Sequence, residues 1–289
     1  MSSDIFGMGD FKAIDPRSMM SFRIYPYYNH EKMGVATAFL YDWNEETFLV
    51  TNWHNVTGRR PETNELMSSS CGIPNQLRIE VHSAYDAGNG HLEHRMIPNT
   101  IPLYRDDEMF DPIWLEHPTF GSRVDVVAIR LGDLVNPLPR NLVRLNRGDP
   151  LMRVSIGTDA FILGFPRGIS GGLFPIWKRG SFASEPYHDI DGLPKCYVDT
   201  ATREGMSGSP VIAASNGVLH LENLNISGRS NGIVHRFVGI YSGRVGMGAS
   251  DAQLAIVWKE SALFEIVKNG IRGKASNLLA LNHAVAPHE

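Results

Sequence analysis

The sequence predicts an all-β protein built from two six-stranded antiparallel β-barrels and a C-terminal α-helix. Short runs with strand character recur along the 289-residue chain, and its 28 glycines and 17 prolines are scattered between them as turn residues. Helical patterning is missing between these runs, which argues against a βαβ fold. Hydrophobic residues make up 43% of the chain, enough for a sizeable buried core.

The first barrel is expected over residues 22–140, after an irregular N-terminal arm at 1–21. Alternating or continuous apolar runs predict its strands at 22–27, 35–41, 47–51, 76–82 and 124–131. The second and third of these strands would form a hairpin with a longer loop, because the segment between them is polar. The last is almost entirely apolar, as expected for a strand buried on both faces.

The second barrel is expected over residues 141–270, beyond a crossover at 132–150 that shows little apolar periodicity. Further runs predict its strands at 160–164, 174–183, 196–199, 210–213, 217–221 and 236–242. One helix is indicated at 258–268, where apolar residues fall on a single stripe and Gly270 follows as a stop signal. Residues 271–289 are left as a C-terminal tail.

The composition excludes several classes of protein. The formal net charge is -4 and no run of lysine or arginine occurs, which argues against nucleic-acid binding. No segment has the length and hydrophobicity of a membrane span, and the N-terminus does not resemble a signal peptide. Only two cysteines occur, Cys71 and Cys196, which favours a reducing compartment. We therefore expect a soluble cytoplasmic protein with no membrane partner.

The sharpest local motif surrounds Ser207, in the segment 205–210 that reads Gly-Met-Ser-Gly-Ser-Pro. A nucleophilic hydroxyl for acyl transfer needs a tight turn and nearby backbone N–H groups that can stabilise an oxyanion. Glycines on both sides of Ser207 would let the main chain approach a substrate carbonyl. Taken alone, the motif is also compatible with an ordinary turn between two strands.

Two further residues lie at strand ends. His54 follows the strand at 47–51, at a point where a short helical turn is expected to begin. Asp125 stands at the head of the apolar run 124–131. A buried carboxylate needs a partner, and a histidine that donates its Nδ1 hydrogen would supply one. Each residue also has a simpler interpretation, a structural histidine and an aspartate exposed to water.

In the order His, Asp, Ser, these motifs resemble the trypsin-like (chymotrypsin-fold) serine peptidases. The resemblance covers most of residues 22–270 and is closest to bacterial stress-type protease domains, here without a PDZ domain. It is carried by the segments Thr37-Ala38-Phe39-Leu40, Leu49-Val50-Thr51-Asn52-Trp53-His54, Val124-Asp125-Val126-Val127-Ala128-Ile129, Gly205-Met206-Ser207-Gly208-Ser209-Pro210 and Gly239-Ile240-Tyr241-Ser242-Gly243, with Asp199 ahead of the fourth.

The resemblance implies a serine endopeptidase that acts on protein or peptide substrates through an acyl-enzyme, without cofactor or metal. Ser207 would be the nucleophile, His54 the base and Asp125 the residue that orients it. The N–H groups of Gly205 and Ser207 would form the oxyanion hole. The edge that pairs with substrate would comprise Tyr241, Ser242, Gly243 and Arg244, with the hydroxyl of Ser242 bonded to the aspartate.

The same register places Ala201 at the base of the specificity pocket and Thr202 on its wall. Neither carries a charge, so small or medium apolar side chains are expected there, unless Arg244 attracts an acidic one. Met206 stands where zymogen-derived relatives have an aspartate, so activation by a new N-terminus is not expected. Control by a regulatory protein partner, by loop order or by narrow specificity stays open.

Three alternatives compete with this interpretation. The fold could serve as a peptide-binding pseudo-protease. Ser170 lies in a Gly-x-Ser-x-Gly sequence typical of serine esterases, although Pro175 and β-prone residues follow it where that motif needs a helix. His91 and His94 raise the question of a metal site, but no third ligand has suitable spacing.

Overall fold

A computed structural model of the chain describes residues 14–68, 72–86, 92–139, 142–145, 152–220, 227–246 and 253–276. Within these ranges the protein is mostly β-strand, as predicted. Cys71 lies outside them, as do residues 1–13 of the predicted arm and residues 140 and 141, where the boundary between the two halves was placed. Cys196 is buried, and its burial raises the pKa of the thiol to about 12.

The first half of the chain forms one antiparallel sheet. Its strands are β1 (Ser21–Tyr28), β2 (Glu31–Lys32), β3 (Ala36–Trp43), β4 (Glu46–Thr51), β5 (Gln76–Asp86), β6 (Leu92–Pro102), β7 (Trp114–Glu116) and β8 (Val127–Arg130). A ninth strand, β15 (Ile271–Arg272), comes from the start of the predicted tail and pairs with β7. The order is β15-β7-β8-β4-β3-β1-β5-β6, with β2 added to β1.

This sheet is open, which corrects the prediction of a closed six-stranded first barrel. The segments after β6 and before β7 meet at an isolated bridge between Tyr104 and Pro112, which is flanked by bonds from Arg105 N to the Asp111 carbonyl and from Ile113 N to the Leu103 carbonyl. This pairing does not extend into a ladder between β6 and β7. Alternation along individual strands predicted the strands themselves but could not predict whether their ends would close.

The second half forms a closed six-stranded barrel, as predicted. Its strands are β9 (Asp159–Gly164), β10 (Ile176–Phe182), β11 (Lys195–Asp199), β12 (Pro210–His220), β13 (Ser227–Arg244) and β14 (Leu254–Lys259). Their order around the barrel is β10-β11-β14-β13-β12-β9, and β14 was not predicted as a strand. The two strands predicted at 210–213 and 217–221 are one strand, β12, because a bulge between Asn216 and Val218 interrupts the alternation without ending the pairing.

Apolar side chains from both halves share a core cluster. Phe39 of β3 lies 5.4 Å from Phe237 of β13 between ring centroids, and both residues are fully or almost fully buried. The same cluster includes Val126 and the buried face of the C-terminal helix. The two halves of the protein therefore pack against each other through this cluster, which includes Val126, the residue next to Asp125.

The hairpin between β3 and β4 is tighter than predicted. Trp43 pairs directly with Glu46, so only Asn44 and Glu45 form the turn. Both have positive φ values, 48° and 68°, as a type I′ turn requires. The polar segment between the two strands predicted the position of the turn correctly. The turn is short because Asn44 and Glu45 both adopt the left-handed conformation.

Two α-helices are present in the described ranges. The C-terminal helix α2 (Glu260–Asn269) confirms the predicted helix, with Gly270 as its C-cap. The short helix α1 (Trp53–Thr57) begins immediately after β4 and ends at Gly58, whose φ is 68°. The sequence suggested only a helical turn beginning near His54.

Helix α1 is anchored by a buried carboxylate. Oε1 of Glu116 accepts the indole N–H groups of Trp53 (3.0 Å) and Trp114 (3.1 Å) and the backbone N–H of Lys274 (3.2 Å). Burial raises the pKa of Glu116 above its usual range, although these three donors oppose the shift. Because Trp53 precedes His54, this contact helps to fix the start of the helix that carries the histidine.

We expect Glu116→Ala to lower the free energy of unfolding by about 2–4 kcal/mol, because two buried indole N–H groups would lose their acceptor. Urea denaturation of the variant and the wild type measures the difference. Glu116→Gln keeps an acceptor oxygen and should lose less than the alanine variant. Equal stability of the alanine variant and the wild type would show that the contact contributes nothing.

Candidate active site

The three predicted catalytic residues come from three separate segments of the chain. His54 lies in α1, directly after β4. Asp125 lies in the turn that precedes β8, and β4 and β8 are paired neighbours in the first sheet. Ser207 lies in the turn between β11 and β12 of the barrel. Both His54 and Ser207 line a cleft of about 500 Å³.

His54 and Asp125 are joined by two hydrogen bonds. Nδ1 of the imidazole lies 2.7 Å from Oδ2 of the carboxylate, and the backbone N–H of His54 donates to Oδ1 at 2.9 Å. An ionised carboxylate can only accept, so the imidazole carries its proton on Nδ1. Nε2 of neutral His54 is then left as a proton acceptor.

Asp125 is 2% exposed, and its polar atoms are further satisfied by neighbouring side chains. The hydroxyl of Ser242 donates to Oδ2 at 2.5 Å, and Nδ2 of Asn52 donates to the backbone carbonyl of Asp125 at 2.6 Å. These contacts offset the cost of burying the carboxylate. Sequence reasoning did not identify Asn52.

The hydroxyl of Ser207 donates to the carbonyl oxygen of Ser242 at 3.1 Å. No hydrogen bond joins Ser207 to His54, both of which are described residues. Catalytic hydrogen bonds are often long or misaligned before substrate binds. Rotation of the Ser207 side chain would have to release this carbonyl before the hydroxyl could reach Nε2 of His54.

The turn around Ser207 requires glycine on both sides. Gly205 has a φ of 91° and Gly208 a φ of 85°, in the region that L side chains rarely adopt. A Cβ atom at Gly205 would lie 2.3 Å from the carbonyl oxygen of Phe165, and one at Gly208 would lie 2.1 Å from that of Thr37. The motif therefore forms a close approach of main-chain segments.

The backbone N–H groups of Gly205 and Ser207 have no hydrogen-bond acceptor within the described ranges. Both residues line the cleft. Unpaired donors beside a nucleophilic hydroxyl are the feature that stabilises a developing oxyanion. Met206 between them is fully buried in the core cluster inside the barrel, so apolar packing supports this turn.

The predicted substrate-binding residues occupy different environments. Thr202 is fully buried, and its hydroxyl accepts from the phenol of Tyr241 at 2.7 Å. Tyr241 itself is 3% exposed and packs in the barrel core. Ala201 is half-buried, while Arg244 is exposed. The side chains of Thr202 and Tyr241 are thus already paired with each other.

Within the described ranges, no strand pairs with one edge of β13 next to the turn that carries Ser207. The pairing of β12 with this part of β13 ends at Ile240, whereas β14 still pairs with Gly243 and Arg244 on the other side. Tyr241 makes the last bonds toward the nucleophile turn, through Ser209 and Gly208. The backbone from Ser242 onward therefore presents an edge that an extended peptide could join.

Charge on His54 is governed by its neighbours. Burial disfavours the imidazolium, but the charge and hydrogen bond of Asp125 outweigh burial, with a contribution from exposed Glu62. The pKa of His54 therefore lies above its usual value of 6.5.

If His54 acts as a base, activity requires its neutral form, so kcat/KM should fall as the pH drops through a pKa above 6.5. A pH–rate profile of peptide hydrolysis measures this inflection. Glu62→Gln removes one favourable charge and should move the inflection to lower pH while leaving the rate at high pH nearly unchanged. An inflection below 6.5 in the wild type would contradict the assignment.

Ser170 lies in a different environment. Its hydroxyl donates to the carbonyl of Gly172 at 2.7 Å, in a loop that leads into β10. The esterase motif needs a helix after the serine, and a strand follows here. His91 lies outside the described residues, and within them no group of three or more histidine, cysteine or acidic side chains is arranged to hold a metal.

Comparisons with known proteins place the chain beside two solved structures. It is similar to Rv3671c from M. tuberculosis H37Rv, crystallised as an inactive mutant, with a TM-score of 0.44 and 13% identity over 100% of both chains. It is also similar to the serine endoprotease from Yersinia pestis, with a TM-score of 0.45 and 10% identity over 88% of this chain and 66% of that chain. No family model and no curated protein sequence matches.

The described ranges contain no helix of the length and apolar character that would cross a membrane.

Proposed function

We propose that this protein is a serine endopeptidase that cleaves peptide bonds through an acyl-enzyme on Ser207. The observation that carries the proposal is the chain of hydrogen bonds from Ser242 through Asp125 to His54, which lines the same cleft as Ser207. A histidine oriented by a buried carboxylate beside a serine in a glycine turn is an arrangement suited to nucleophilic acyl transfer.

Each side chain has a role in the proposed reaction. Oγ of Ser207 attacks the scissile carbonyl while Nε2 of His54 takes its proton. The carbonyl oxygen becomes negatively charged and accepts the free N–H groups of Gly205 and Ser207. Protonated His54 then gives its proton to the leaving amine, and a water molecule hydrolyses the acyl-enzyme by the same steps. Asp125 holds the imidazole tautomer and stabilises its positive charge.

Substrate binding would also change the position of Ser207. An extended substrate that joins the free edge of β13 would offer an N–H to the carbonyl of Ser242, which now accepts the Ser207 hydroxyl. Replacement of the hydroxyl by this N–H would free Ser207 to turn toward His54. In this proposal the side chain before the scissile bond is small or medium and apolar, because the half-buried Ala201 brings no charge to the pocket and Thr202 is buried against Tyr241.

Two measurements test the proposal. A fluorophosphonate probe reacts with activated serine nucleophiles, and peptide mapping should locate the label on Ser207. Profiling of cleavage products in a peptide mixture should then show new termini with the wild type and none with Ser207→Ala.

The competing functions give different results. A peptide-binding pseudo-protease would bind peptides without labelling or turnover, and a serine esterase of the elbow type would carry the label on Ser170. A cleavage profile dominated by lysine and arginine would contradict the apolar pocket.

A further inference from the structure

The two free N–H donors belong to a segment whose carbonyl groups are all held. Each carbonyl of residues 204–206 accepts one hydrogen bond, in order from the N–H of Arg167 at 2.6 Å, the hydroxyl of Thr37 at 2.9 Å and the N–H of Ser209 at 2.9 Å. In a trans peptide group the C=O and N–H point in opposite directions. Fixing the first and third carbonyls therefore directs the N–H groups of Gly205 and Ser207 the other way.

The middle contact is the only one of the three made by a side chain. Thr37 is fully buried in β3 of the first sheet, yet its hydroxyl donates to Gly205 in the second half of the protein. The same oxygen accepts the N–H of Phe165 at 3.4 Å, and the backbone N–H of Thr37 donates to the Ser207 carbonyl at 2.8 Å. Thr37 therefore bonds to both Gly205 and Ser207.

The contact matters because Gly205 has little intrinsic preference for its conformation. Glycine populates positive and negative φ about equally, so nothing in the residue itself holds the observed φ of 91°. Rotation of the peptide group after Gly205 would disturb the alignment of the N–H groups on either side. The Thr37 hydroxyl opposes that rotation.

We propose that Thr37 is a positioning residue for the oxyanion hole, acting through the carbonyl of Gly205. The inference rests on the proposed function, since it concerns the same reaction. It assigns to the first half of the protein a part in transition-state stabilisation in addition to the histidine and aspartate.

Replacement of Thr37 tests the inference. Thr37→Val keeps the shape of the side chain and removes the hydroxyl, so kcat should fall by about tenfold to a hundredfold, with KM nearly unchanged, because the oxyanion exists only in the transition state. Thr37→Ser keeps the hydroxyl and should restore most of kcat. Thr37→Ala serves if the valine variant fails to fold, and it should show the same loss.

Thr51→Val is the matched control. Thr51 is a fully buried threonine of the neighbouring strand. Its hydroxyl donates to the Thr37 carbonyl at 2.8 Å and accepts from Nδ2 of Asn55 at 3.0 Å, without touching residues 204–206. Both valine variants should lose thermal stability, since each leaves a buried acceptor unpaired. The kcat of Thr37→Val should be clearly lower than the kcat of Thr51→Val.

A second readout separates positioning from general damage. A peptide boronic acid forms a bond from its boron to Oγ of Ser207 while the serine proton passes to His54, and the resulting tetrahedral anion places an oxygen at the oxyanion site. Its affinity should fall in Thr37→Val by about the same factor as kcat. The affinity of the corresponding carboxylate product peptide, which forms no such adduct, should change far less.

Four results would overturn the inference. If Thr37→Val has the same kcat as the wild type, Thr37 has no role in positioning, and the proposed peptidase function is unaffected. Equal losses in Thr37→Val and Thr37→Ser, or equal losses of boronate and product affinity, would show a structural effect alone. Absence of both turnover and fluorophosphonate labelling in the wild type would overturn the proposed function, and the inference with it.

Discussion

Replacing Ser207 with alanine should lower the rate of peptide hydrolysis by about 10⁴ or more, because the other serine of the turn, Ser209, is fully buried and cannot form the acyl-enzyme. His54→Ala should cost a similar factor, since nothing else would take the serine proton. Asp125→Asn should cost about 10⁴, because an amide at this position favours the wrong imidazole tautomer. Single-turnover kinetics with a chromogenic peptide ester and a peptide amide measure these losses.

The combination of variants provides the control. When two groups act together in one step, the losses of rate from replacing each of them do not add. The double variant of Ser207 and His54 should therefore be barely slower than either single variant. Ser170→Ala, in a loop whose serine bonds only to Gly172 among the contacts described, should leave the rate unchanged. Retention of full activity in Ser207→Ala would end the serine-peptidase interpretation.

Gly205→Val should abolish turnover. The added Cβ would lie 2.3 Å from the Phe165 carbonyl oxygen and 2.9 Å from the N–H nitrogen of Arg167, and valine is strained at a φ of 91°. The segment would have to move, and the N–H of Gly205 would lose its alignment with the oxyanion. The variant is measured for kcat and for the rate of fluorophosphonate labelling, and both should fall.

Gly192→Val is a suitable control for the backbone strain. Gly192 also has a positive φ, 67°, but a Cβ there would meet no atom within 4 Å. This variant should lose some stability and retain turnover. Comparable kcat values for the two variants would show that the close approach at Gly205 has no catalytic role.

The sequence predicted most of the strands, but it predicted less well how they connect. Strands β9 and β11 were predicted because they alternate between buried and less buried residues, which local periodicity records. Strands β6, β7 and β14 were not predicted. The first sheet was predicted to be closed and is open. Closure would have required the single bridge between Tyr104 and Pro112 to extend into a continuous pairing of β6 with β7. The alternation of apolar and polar residues along a strand does not specify such pairing.

The residues of the candidate site form two groups: those that local features of the sequence predicted, and those whose role depends on contacts between distant segments. The sequence identified His54, Asp125 and Ser207 because glycine turns, strand ends and a carboxylate before an apolar run are local features. It gave no signal for the carboxylate anchor Glu116 or for Asn52, whose contacts join distant segments. Thr37 was part of the motif that carried the family resemblance, but nothing in its neighbourhood indicated what its hydroxyl would bind.

By itself, the sequence determined the β-rich class, five of the six strands of the second half, the terminal helix, and the order of the three reactive residue types. These properties follow from the periodicity of apolar residues and from the glycine and proline residues at turns, which are patterns over a few residues. Only the tertiary structure decided that Ser207 would bond to the Ser242 carbonyl, that two N–H groups would stay unpaired, and that Thr37 would reach Gly205. The last contact spans 168 positions of the chain. Such contacts depend on how the two halves pack, because a hydrogen bond needs both partners within about 3 Å, and no local pattern specifies that distance.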